Sequence, residues 1–93
     1  DYGDYNLFLG YRSGYSNTNG YANIMMGAYS GHSNEGGSGN IYMGNRSGYY
    51  NKDGSYNIMI GYYSGYRSGY GSLKNPGYNT FIGYMSGYFN NEG

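Results

Sequence analysis

Asn57-Ile58-Met59-Ile60-Gly61-Tyr62-Tyr63-Ser64-Gly65 decides the fold, because the chain says it five times. The other copies are Asn6-Leu7-Phe8-Leu9-Gly10, Asn23-Ile24-Met25-Met26-Gly27, Asn40-Ile41-Tyr42-Met43-Gly44 and Asn79-Thr80-Phe81-Ile82-Gly83. Each continues, after two variable residues, into Ser-Gly at Ser13, Ser30, Ser47, Ser64 and Ser86. Tyr or His follows: Tyr15, His32, Tyr49, Tyr66, Tyr88. A second Asn stands at Asn17, Asn34, Asn51 and Asn90, and a closing Gly at Gly20, Gly37, Gly54 and Gly93. The leading Asn residues 6, 23, 40 and 57 are seventeen residues apart, and Asn79 follows after twenty-two. A fixed period of this length is the signature of a stacked repeat.

The unit has the chemistry of one coil. Its apolar run is short and ends at Gly, which suits a strand and not a helix. The Ser-Gly segment reads as a second strand or an arc. The Asn-x-x-Gly stretch is turn chemistry, since both residues tolerate left-handed backbone. One coil cannot bury its own apolar side chains, whereas coils stacked about 4.8 Å apart share a column and pair their backbones. The expectation is an all-β, single-domain β-solenoid (a β-roll) over residues 1–93. Its five coils start near 6, 23, 40, 57 and 79, with short parallel strands and an insertion loop at 66–77 around Lys74-Asn75-Pro76-Gly77. Asp1-Tyr2-Gly3 reads as the tail of a preceding unit, so the chain reads as a slice of a longer array or a subunit that stacks end to end.

Fixed positions become ladders. Asn6, Asn23, Asn40, Asn57 and Asn79 are expected to exchange side-chain amide hydrogen bonds between coils. Ser13, Ser30, Ser47, Ser64 and Ser86 are expected to do the same through hydroxyls. Strand alternation splits each apolar run into two faces. The flanking positions, such as Ile24 and Met26, are the more uniformly aliphatic and are assigned to the interior. The central ones, Phe8, Met25, Tyr42, Met59 and Phe81, then form an outward stripe, a candidate interface. The Tyr15, Tyr49, Tyr66 and Tyr88 row, with His32 as an aromatic spacer, is a second candidate. Tyr11, Tyr62 and Tyr84 form a further row. Arg12, Arg46 and Arg67 stand near tyrosines at cation–π spacing.

Composition bounds the chemistry. Gly (20) and Tyr (17) dominate the 93 residues, with one His and no Cys, which excludes disulfides and thiolate metal sites. Formal charge is zero without a Lys/Arg cluster, so duplex nucleic acid has no footprint. No apolar run reaches the length of a membrane-spanning helix. No enzyme constellation is present, and the expectation is no catalytic residue, cofactor or metal. Glu35, Asp53 and Glu92 share a turn edge with Lys52, but no Asp-rich calcium repeat accompanies them. Asn45-Arg46-Ser47 is a formal glycosylation sequon of little weight in so Asn/Ser-rich a chain.

The unit from Asn57 to Gly65 resembles the head repeats of YadA-like trimeric autotransporter adhesins, and Asn79 to Gly87 resembles repeats of phage tail-fibre-like proteins. The resemblance implies a parallel β-roll that self-associates at a cell or virion surface. The unit here is longer than that family's, and Met, Phe or Tyr stands where the family carries Ala. A grass ice-binding β-roll is similar in its Asn-x-apolar-x-Gly pattern. The expected function is a structural, self-associating segment of an extracellular fibre, filament or adhesin, its partner another copy of itself. The alternatives are ice binding and a glycan-binding Tyr ridge.

Overall fold

A computed structural model describes residues 5–52, 54–67 and 77–88. It is an all-β solenoid winding about three complete turns, with its first four strands seventeen residues apart. The five strands are β1 (Leu7–Leu9), β2 (Ile24–Met26), β3 (Ile41–Met43), β4 (Ile58–Ile60) and β5 (Thr80–Ile82). They form one parallel sheet in chain order. The pairing is in register throughout: Phe8 lies beside Met25, Met25 beside Tyr42, Tyr42 beside Met59 and Met59 beside Phe81. The five extra residues before β5 leave this register unchanged. Most of the insertion (68–76), together with the ends at 1–4 and 89–93 and Asp53, lies outside the described residues. Asn90, Glu92 and Gly93 are therefore not placed.

Each strand stops at three residues because Gly ends it. Gly10, Gly27, Gly44, Gly61 and Gly83 share φ of 124° to 132°. A Cβ on Gly27 would sit 2.8 Å from the carbonyl carbon of Gly44 in the next coil. Only a residue without a side chain fits both the dihedral and the approach.

Among the described residues, the rest of the coil is an arc and not a second strand. From Gly10 the backbone runs through successive tight turns: the Ser13 N–H donates to the Gly10 carbonyl (3.1 Å) and the Asn17 N–H to the Gly14 carbonyl (3.1 Å). Intervening N–H groups pair with adjacent coils, as Gly14 to Ser30 O (2.9 Å) and Tyr29 to Tyr11 O (2.8 Å). The arc keeps a left-handed residue in every copy, at Arg12, Tyr29, Arg46, Tyr63 and Met85, with φ of 55° to 62°. Such a residue costs about 1 kcal/mol when it is not Gly. The inter-coil hydrogen bonds repeated along the arc offset that cost.

Candidate interaction surfaces

The interior holds one large side chain per coil. Met25, Tyr42 and Met59 are fully buried, with Phe81 packed against them. This reverses the expected orientation: the central column of the strand faces inward and the aliphatic flanks face out. Leu7, Leu9, Ile24, Ile58 and Ile82 are exposed, Leu9 and Ile82 by 58% and 65%. Met26, Ile41, Met43 and Ile60 are half-buried. Met25, Tyr42 and Met59 are thus not available as an interface, and Phe8 and Phe81 keep only partial exposure at the ends of the column.

The cause is the width of the coil. Opposite the central residue stands the Gly of Ser-Gly. A Cβ on Gly48 would lie 2.9 Å from the Tyr42 ring, and one on Gly31 would overlap the Met25 sulfur. These glycines also carry φ near +60°. Strand and arc are therefore separated by one side chain, with no room for a second aliphatic pair. The buried Tyr42 hydroxyl lies beside the Asn57 side chain, and burial pushes its pKa far above the ordinary phenol value.

The ladders line this narrow interior in a different pattern from the one expected. Each leading Asn uses its side-chain oxygen to accept the next coil's Asn backbone N–H: Asn23 to Asn6, Asn40 to Asn23 and Asn57 to Asn40 at 2.9 Å, and Asn79 to Asn57 at 3.0 Å. The side-chain nitrogen donates to a closing-turn carbonyl, as from Asn23 to Gly37 (2.9 Å) and from Asn40 to Gly54 (2.8 Å). An amide-to-amide rung joins Asn57 to Asn40 (3.1 Å). The ladder Ser hydroxyls bond carbonyls and not one another. Ser13, Ser30, Ser47 and Ser64 donate to the carbonyls of Met25, Tyr42, Met59 and Phe81 in the following coil, at 2.7 to 3.1 Å. Ser and Asn thus tie the arc and the turn to the strand.

Two ladders were hidden in the turn chemistry. The Tyr21 N–H donates to the Ser38 hydroxyl (3.0 Å), and the Ser38 N–H to the Ser55 hydroxyl (2.9 Å). Asn34 and Asn51 are fully buried. Asn34 donates to the Asn17 side chain (3.3 Å). Asn51 instead turns its oxygen to the Gly54 N–H (2.9 Å), which leaves Asn34 Oδ1 and Asn51 Nδ2 without a hydrogen-bond partner. The seventeen-residue spacing of these positions was the available signal.

Two unlike surfaces result. The sheet face carries two aliphatic columns, Leu7-Ile24-Ile41-Ile58-Thr80 and Leu9-Met26-Met43-Ile60-Ile82, with no charged residue. The arc, across the core, carries rings. Tyr15 stacks on His32 (5.1 Å between centroids), His32 on Tyr49 (4.7 Å), Tyr49 contacts Tyr66 at a tilt (5.2 Å), and Tyr66 stacks on Tyr88 (5.2 Å). His32 is seated within the column as an aromatic spacer. Desolvation first, then the charges of Arg12 and Arg46, lowers its pKa. Arg46 covers the Tyr29 ring at 4.5 Å and Arg12 the Tyr15 ring at 4.8 Å. Burial is the leading reason the Tyr66 phenol is pushed up to about 12.

Little else offers chemistry. Lys52 reaches Glu35 at 3.8 Å in an exposed pair worth a fraction of a kcal/mol. Among the described residues no three His, Cys, Asp or Glu side chains gather, and no helix is long and apolar enough to cross a membrane. Fold and surfaces together define a β-solenoid with one aliphatic and one aromatic side. No protein-family model, curated protein or solved structure matches the chain.

Proposed function

We propose that the chain is a structural segment of an extracellular fibre, filament or adhesin, and that it self-associates through its sheet face. The observation that carries this reading is the uncharged pair of aliphatic columns on the parallel sheet, exposed at Leu7, Leu9, Ile24, Ile58 and Ile82 and half-buried at Met26, Ile41, Met43 and Ile60. Contiguous exposed apolar surface of this kind ordinarily marks an interface. Two such sheets can pack face to face about 10 Å apart, side chains interdigitating. The partner is a second copy, because the face is self-similar along the solenoid axis and bears no charge that would select another molecule. The resemblance to adhesin head repeats supports a location at a cell or virion surface.

The size of the face sets the strength of association. Five rungs of two side chains cover a few hundred Å² at most, below the roughly 800 Å² per partner of a stable interface. Contacts therefore gain strength with each added rung. Light scattering against concentration tests the reading: mass should rise with concentration, whereas a strict monomer at high concentration contradicts it. Ice binding is the rival use of a flat, regular face. Thermal hysteresis or ice shaping by the monomer would favour it over self-association. The glycan-ridge reading is weakened by the stacking, since the inner rings have their faces covered by their neighbours.

A further inference from the structure

Among the described residues, tyrosine pairs within one column are not spread evenly along the solenoid. Between the first and second coils, and between the second and third, His32 interrupts the main ring column. The third and fourth coils share one column pair, Tyr49 and Tyr66. The fourth and fifth coils share Tyr56–Tyr78, Tyr62–Tyr84 and Tyr66–Tyr88. This is the junction where the seventeen-residue spacing is broken by the insertion. Two of the pairs are open to solvent: Tyr56 and Tyr78 stack at 5.3 Å and 20°, and Tyr62 and Tyr84 at 5.7 Å and 5°. All four residues are at least half exposed.

We propose that Tyr56–Tyr78 and Tyr62–Tyr84 are modification sites, at which a peroxidase-class oxidant joins the rings into dityrosine and covalently staples the last coil to the one before it. The oxidant removes one electron and one proton from each phenol, giving two tyrosyl radicals. The ortho carbons of the two rings then form a carbon–carbon bond. The two ortho hydrogens pass to the phenolic oxygens as the rings regain aromaticity. In the same cycle one hydrogen peroxide is reduced to two waters, so the protein loses two hydrogen atoms. Stacking supplies the encounter that the coupling requires, since it holds the rings together before the radicals form. Exposure gives the oxidant access and lets the rings pivot as they join.

The experiment treats dilute chain with a haem peroxidase and hydrogen peroxide, isolates the monomeric product, and digests it with trypsin. Cleavage after Lys52, Arg67 and Lys74 places Tyr56 and Tyr62 in one peptide (53–67) and Tyr78 and Tyr84 in another (75–93). The expected product joins these two peptides, is two hydrogens lighter than their sum, and fluoresces as dityrosine. Its linkage should map to Tyr56–Tyr78 or Tyr62–Tyr84. The new covalent loop should raise the melting temperature on the order of 10 °C. The double variant Tyr78→Phe/Tyr84→Phe, with an unchanged circular dichroism spectrum, should lose most of the linkage. Dityrosine found only in oligomers, or spread over all tyrosines, or undiminished in the double variant, would overturn the assignment. If that variant fails to fold, mapping on the unaltered chain alone decides.

Discussion

The two sides of this solenoid are built by opposite means. On the sheet side, three extended residues per coil pair in register, and regular alternation turns two aliphatic side chains outward for each one it buries. On the arc side the backbone is left-handed at intervals, and the side chains satisfy one another through ring stacking and Arg–ring contacts. The difference teaches where unspent interaction remains. Rings on the arc face already have partners within the chain. Aliphatic groups on the sheet face pair in register along the sheet, and gain by covering their outer surface.

The comparison is broken most severely by filling the gap between the two sides. Gly31→Ala places a Cβ against the Met25 sulfur at φ +59°. Overpacking together with the left-handed strain should cost about 3 kcal/mol or more. Thermal unfolding should show that loss, and both faces should disappear in one transition.

Cutting one tie between turn and strand has a smaller effect. Asn40→Ala leaves the Asn57 backbone N–H and the Gly54 carbonyl without their buried partner. The expected cost is about 2–4 kcal/mol, measured by urea unfolding. Local hydrogen exchange should rise first at Asn57 and in the turn at Gly54.

A gentler test uses pH. The Tyr66 phenol is raised to about 12 from an ordinary 10, with Tyr49 and Tyr62 also raised, and all three lie on the arc. The folded chain keeps these protons to higher pH than the unfolded chain does. Their contribution is thus fully present below pH 10 and is lost as pH rises toward 12. Tyrosinate absorbance and near-UV dichroism should change together in that window. Stability that was flat across the window would contradict the burial of these phenols.

The strands and their pairing were legible from the repeat alone: the apolar runs between Asn and Gly are the strands, at the same spacing. Their orientation was readable too, although hydrophobicity pointed the wrong way. Both faces of Ile24-Met25-Met26 are apolar, so apolarity cannot choose between them. Parity can: Asn6 and Phe8 lie two residues apart on one face of the strand, and an internal Asn ladder carries Phe8 inward with it. The small residues across the coil gave the same answer, since Ser13 and Gly14 leave space for one large neighbour only. Less accessible was the partner choice of the ladders. Whether an Asn amide meets its counterpart or a backbone N–H depends on a rise and twist that the residue pattern does not encode. The left-handed Tyr29 and Tyr63 were hidden for a related reason, because their strain is sustained by inter-coil bonds and not by local preference.

The central claim is that the sheet face is the adhesive one. The double substitution Ile24→Lys/Ile58→Lys places two charges on that face, at positions already about a third exposed. Monomer stability should change little, by about 0.5–1 kcal/mol. Sedimentation velocity over a wide concentration range should show the parent chain associating and the variant remaining monomeric, with the same circular dichroism spectrum. Undiminished association in the variant would contradict the claim.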